Sequence, residues 1–141
     1  MILSTALMCL TANIYYEARA DGTLSELAVA QVTMNRAWRD PKRVCMVVSE
    51  EGQFSWTDAR MKIAGRAHGV LILRRPIRDQ YAWKRALTLA KYTLKGYVGD
   101  FTHGAAYYHT DRVNPRWDDD MTLVGAYGHH LFFFSFIDTD K

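Results

Sequence analysis

Cysteine is scarce in this 141-residue chain, which has only Cys9 and Cys45. Neither has a second cysteine within metal-ligand spacing, so a structural zinc site does not explain the fold. Each lies in an apolar stretch, which favours two buried free thiols acting as small hydrophobes. A disulfide pinning the first helix to the 41–48 segment is the alternative, suited to an oxidising compartment. Also missing is any apolar run approaching the roughly 18 residues of a membrane helix. Charge of one sign is lacking too: 18 basic residues against 15 acidic leave a net charge of +3. That balance is too even to argue for nucleic acid, though it suits an acidic polymer. There is no internal repeat, low-complexity tract or linker, so residues 1–141 are read as one domain, long enough to bury a core. The apolar start, Met1 to Leu10, has no basic region and no small-residue cleavage site. It is read as structure and not as a signal peptide.

Half of the chain, 49%, is hydrophobic and 13% is aromatic, so it is globular. A first helix is predicted over Ser4 to Arg19, with an apolar stripe at Leu3, Leu7, Leu10 and Ile14. A second opens at Thr23-Leu24-Ser25-Glu26, which has the form of a capping box, and fades near Trp38. It is apolar on nearly every side and reads as a central helix, with Gln31 and Asn35 as internal hydrogen-bonding amides. Pro41 starts a short helix through Val48. The stretch Thr57 to Arg78 is weakly periodic and is left unassigned. Its basic cluster, Arg74, Arg75 and Arg78, is read as solvated surface. Asp79 caps an amphipathic helix that buries Trp83, Ala86, Leu87, Ala90 and Leu94, turns Arg85 to water and ends at Gly96.

Beyond Gly99 three short strands are predicted at Ala105–Thr110, Met121–Val124 and His130–Phe134, with a hairpin turn within Gly125–Gly128. Helices followed by a small antiparallel sheet make the fold class α+β.

Chemistry is sought among the polar residues that break these patterns. Glu17 continues the stripe of the first helix, so a carboxylate stands where the period asks for a core hydrophobe. Desolvation there favours the protonated form, as a general acid requires. The structural alternative is a rim residue paired with Arg19 or Arg36. Five histidines show no two-ligand helical spacing, and adjacent His129 and His130 would face opposite sides of a strand, so no metal site is assigned. Ser55 lacks a nucleophile elbow, and no phosphate loop or dinucleotide fingerprint occurs. Aromatic residues on presumed loops and strand edges, Phe54, Trp56, Tyr107, Tyr108 and Trp117, could stack on sugar rings.

Five segments then occur in order: Leu10 to Arg19, Ala28 to Arg36, Gly52 to Trp56, Ala106 to Thr110 and Gly128 to Phe132. In this the chain closely resembles the SleB/CwlJ-type cell-wall hydrolases, the family of spore-cortex-lytic enzymes and related bacterial and phage lysins. The resemblance implies a lysozyme-like α+β fold, mainly helical at first, that cleaves the glycan strand of peptidoglycan. It assigns the catalytic acid to Glu17, in Tyr15-Tyr16-Glu17-Ala18-Arg19. It implies substrate contacts at Gln53, Phe54, Ser55 and Trp56, and at Tyr107, Tyr108, His109 and Thr110. Where the common pattern has Gly-Glu after Ala-Arg, this chain has Ala20-Asp21-Gly22, so a second carboxylate at Asp21 is not carried over.

Hydrolysis requires a second carboxylate, and only Asp21, Glu26 and Asp111 stand near the motifs. A lytic transglycosylase requires none and therefore fits better. The alternatives are a true muramidase-type hydrolase, a peptidoglycan amidase, and a glycan-binding virion module without activity. The expected protein is a monomer that binds peptidoglycan glycan strands. It uses no cofactor or metal, does not insert in a membrane and does not bind nucleic acid. It is a lysin made in a host cytoplasm and released to the wall by a holin or carried in a virion.

Overall fold

Thr5 sets the start of the first helix: its backbone is extended and its side chain accepts from the Met8 amide at 3.1 Å. Helix α1 is therefore Ala6–Ala18, and Leu3 belongs to a two-residue strand before it, β1 (Ile2–Leu3). The helical stripe thus begins at Leu7. The computed structural model describes residues 1–50, 56, 63–67 and 70–135.

Helix α2 is Thr23–Arg36, entered through Gly22 at φ +95° with no side-chain cap. The expected capping box does not form. Glu26 is instead buried, and its Oε1 accepts from Arg85 Nε at 2.9 Å, while Thr23 Oγ1 takes a bond from the same guanidinium. Arg85 is accordingly half-buried rather than turned to water. Burial pushes the Glu26 carboxyl above its ordinary value, with the Arg85 hydrogen bond and charge pulling the other way. Gln31 and Asn35 are satisfied amides, as expected. Gln31 donates to the Val98 carbonyl, Asn35 to Asp100 and the Ala105 carbonyl, and Arg39 donates to both amide oxygens.

A 3-10 turn at Pro41–Arg43, capped by Asp40, leads into helix α3 (Val44–Ser49). Strands β2 (Ile63–Ala67) and β3 (Val70–Leu73) form an antiparallel sheet with β1 in the order β1-β3-β2. This sheet occupies part of the stretch that the sequence leaves unassigned. Helix α4 (Gln80–Leu94) starts where Asp79 accepts from the Ala82 amide at 3.0 Å. It ends before Gly96, at φ +75°.

The second sheet holds β4 (Tyr107–Thr110), β5 (Thr122–Tyr127) and β6 (His130–Phe134) in the order β4-β6-β5. Its β5–β6 turn is later than the sequence suggests, because β5 runs through Gly125, with a register shift, to Tyr127.

Cys9 and Cys45 are joined in a disulfide, with Cα atoms 5.2 Å apart. This corrects the expectation of free thiols. Apolar flanks report burial, and a buried pair can still be bridged. The bond fixes α3 to α1 inside a core cluster that includes Leu10, Ile14, Val44 and Ala86. A second cluster, including Val29, Val32 and Phe132, lies between α2 and the second sheet, and Tyr108 packs against both. Among the described residues no helix is long and apolar enough to cross a membrane.

Candidate active site

Glu17 stands half-buried in the last turn of α1. Across from it, strand β4 aims Tyr108 inward. The Tyr108 hydroxyl is enclosed away from solvent, with Glu17 as the nearby carboxylate that acts on it. Burial first, then the charge and hydrogen bond of Glu17, push the Tyr108 phenol well above its ordinary value, against the opposing charge of Arg36. The phenol is therefore neutral and keeps a proton that it can donate to the carboxylate at any working pH.

Behind Tyr108 is a second polar group. The His130 ring meets the Tyr108 ring edge-on at 5.4 Å between centroids. Its Nδ1 donates to Asp21 Oδ2 at 2.6 Å, and Ser25 Oγ donates to the same oxygen at 2.7 Å. The His129 amide adds a bond of 2.8 Å to Asp21 Oδ1. Burial raises the Asp21 carboxyl, but these bonds and the His130 charge outweigh it and hold the group below its ordinary 3.8. Asp21 is thus a clamp between the α1–α2 turn and the β5–β6 hairpin. Gly128 is required there: its φ is +58°, and any Cβ would overlap the Asp21 carboxylate and carbonyl.

One turn before Glu17 on α1, Asn13 holds Trp56. Its Oδ1 accepts from the indole Nε1 at 2.7 Å, and its Nδ2 donates to Thr33 at 2.9 Å. The Trp56 ring stacks on Tyr16 at 4.6 Å and is 2% exposed. Trp56 therefore supports the helix that carries Glu17 and does not offer a face to a sugar, a correction to its expected place in the cleft wall. A loop position leaves the direction of an aromatic open, and a buried amide acceptor draws this one inward. Cys45 and Trp56, on either side of the Gln53-Phe54-Ser55 motif in sequence, are both fastened to α1. Gln53, Phe54 and Ser55 themselves lie outside the described residues.

The Tyr107–Thr110 segment is not one lining. Alternation along β4 sends Tyr108 and Thr110 toward one side and Tyr107 and His109 toward the other. Tyr108 contacts Glu17, whereas the His109 ring stacks on Phe133 and bonds Asp118 Oδ2 at 2.8 Å. Tyr107 lies under the Arg36 guanidinium, 5.1 Å from its ring centroid. Nearby, Arg19 stacks over the Tyr15 ring at 4.5 Å, and Arg36 donates to the Ala106 carbonyl at 2.7 Å. His129 is exposed beside Asp111, while His130 is buried, so the neighbours do face opposite ways. Among the described residues, no three His, Cys, Asp or Glu side chains converge as a metal site would need.

The sequence profile of the cell wall hydrolases matches residues 20–133 of the chain. The chain belongs to this family. As a cell wall hydrolase it is an enzyme that degrades peptidoglycan. Glu17 lies just ahead of the matched segment, on the helix that leads into it. The fold is similar to the catalytic domain of the Bacillus cereus SleB protein, with 24% identity, a TM-score of 0.61, and coverage of 92% of this chain and 90% of that one. It is likewise similar to the catalytic domain of the germination-specific lytic transglycosylase SleB from Bacillus anthracis. There the identity is 21% and the TM-score 0.64, over 92% of this chain and 93% of that one. No curated protein matches the chain. These likenesses establish the α+β, lysozyme-like fold of the hydrolase.

Proposed function

We propose that this cell wall hydrolase cleaves the glycan strand of peptidoglycan as a lytic transglycosylase, with Glu17 as its one acid/base. The observation that carries the reading is that the three other carboxylates near the motifs, Asp21, Glu26 and Asp111, each have a partner. Asp21 is held by Ser25, His130 and the His129 amide. Glu26 is buried against Arg85 on the α4 side, and Asp111 is exposed beside His129. Asp21 and Glu26 are thereby committed to structural contacts, and Asp111 is turned to the surface beside His129.

One carboxylate is sufficient for a non-hydrolytic route. Glu17 donates its proton to the glycosidic oxygen as the C1–O bond breaks. The C6 hydroxyl of the muramic sugar then bonds to its own C1, and its proton passes to the Glu17 carboxylate. The products are a released sugar hydroxyl and a 1,6-anhydro end, and Glu17 regains its proton. The Tyr108 hydroxyl orients the carboxyl throughout. The B. anthracis structure is described as a lytic transglycosylase, which agrees with this route.

Glu17→Gln keeps the shape and removes the proton. Clearance of purified walls should fall by roughly 10²–10⁴-fold with the fold retained. A well-folded Glu17→Gln protein that clears walls at the parent rate would reject the assignment.

A further inference from the structure

Helix α2 ends in a Schellman motif: the Arg39 amide donates to the Met34 carbonyl at 2.7 Å and the Trp38 amide to the Asn35 carbonyl at 3.1 Å. The position after the cap, which needs a left-handed backbone and favours glycine, holds Trp38 at φ +57°. Its ring is 60% exposed, so core burial does not explain a tryptophan there.

The Arg43 guanidinium lies over this ring, 3.7 Å from its centroid. Its Nε is buried without a hydrogen-bond partner, and among the described residues no carboxylate pairs with it. A buried, unmatched guanidinium donor is costly unless an acceptor arrives. Trp38 and Arg43 line a groove of about 260 Å³, together with Arg36, Tyr107 and, at its rim, the exposed Glu50. Arg36 links this groove to the Glu17 site, because its charge also acts on Tyr108.

We infer that this groove binds the short acidic peptide stem carried by peptidoglycan, placing the stem while Glu17 cuts the strand. The inference rests on the glycosidase reading for its context. Arg43, with Arg36 nearby, supplies donors for stem carboxylates, the Trp38 ring covers methyl and methylene groups, and Glu50 suits a stem ammonium. The volume lies just below the roughly 300 Å³ at which small-ligand clefts begin, which admits a few residues and no folded partner. A bare sugar would leave the Arg43 charge unmatched.

The test is calorimetric titration of the full chain with the free tetrapeptide L-Ala–D-Glu–meso-diaminopimelate–D-Ala, which has no glycosidic bond to cut. The wild-type protein should bind it. Arg43→Gln should weaken binding at least roughly tenfold, the loss expected for one charge-assisted hydrogen bond. Trp38→Gly should weaken it too, while its melting temperature holds or rises because the left-handed strain is relieved. On intact walls both variants should raise KM more than they lower kcat. No tetrapeptide binding, binding by both variants as tight as by the wild type, or preferred binding of stem-free glycan that both variants lose would overturn the inference. Wall digests judge the glycosidase reading separately: a protein that binds the tetrapeptide but releases no sugar ends would refute that reading and leave the stem site standing.

Discussion

His130 Nδ1 and Asp21 Oδ2 lie 2.6 Å apart, joining residues that are far separated in sequence. The bond brings the β5–β6 hairpin onto the α1–α2 turn and sets the His130 ring against Tyr108, which in turn meets Glu17. The position of the Glu17 carboxyl, the proposed acid/base, is thereby tied to a buried ionisable clamp.

Asp21→Ala removes the acceptor shared by Ser25, His130 and the His129 amide. Breaking a buried pair of this kind costs about 3–5 kcal/mol, and the melting temperature should fall by roughly ten degrees near neutral pH. The Asp21 pKa is lowered in the fold, so its contribution is present above the ordinary 3.8 and is lost as pH falls through the lowered value. The deficit of the variant should therefore be full at pH 6 and shrink in strong acid. A deficit independent of pH would argue that the clamp acts by packing alone.

Tyr108→Phe keeps the ring that both core clusters use and deletes the donor to Glu17. Melting should change little, while activity at neutral pH falls by about tenfold. A donor to a carboxylate favours its ionised form, so its loss should move the alkaline limb of the pH–activity profile upward. Superimposable profiles for the two proteins would deny the contact a role in the chemistry.

The disulfide closes a loop across a sequence separation of 36 residues, for which the chain-entropy estimate is about 4 kcal/mol. Cys9→Ser, or reductant, should lower the melting temperature by roughly ten degrees. Thiol titration of denatured, unreduced protein should find no free thiol. Two titratable thiols would restore the reading of buried free cysteines.

Much of the fold was legible because it rests on local signals. The apolar stripe of the first helix, the apolar run of the second, the Asp79 cap and the glycine stop at Gly96 each act over a few residues, and helices α1, α2 and α4 follow from them. The first sheet was not legible. Its strands are short and one contributes only Ile2 and Leu3, so partnership rather than periodicity defines it. Glu26 matched a capping box, yet Arg85, distant in sequence, offered its carboxylate a buried partner, and tertiary pairing won.

At the site, Glu17 was visible as a carboxylate on an apolar stripe. The two-sided character of Tyr107 to Thr110 could also have been read from strand alternation. Trp56 could not, because its direction depends on Asn13 and Thr33 in two other elements. Nor could Trp38 and Arg43, since nothing in a sequence marks a tryptophan at a glycine-favoured helix end as a platform for a guanidinium.

The central claim is that one carboxylate, Glu17, cuts the glycan strand without water. Mass spectrometry of walls digested in heavy-oxygen water tests it most directly. The account predicts 1,6-anhydro muramic ends, lighter by one water than hydrolysed ends and free of heavy oxygen, and none of them from Glu17→Gln. Reducing-end sugars that carry the heavy label would contradict it and show a hydrolase with a second carboxylate at work.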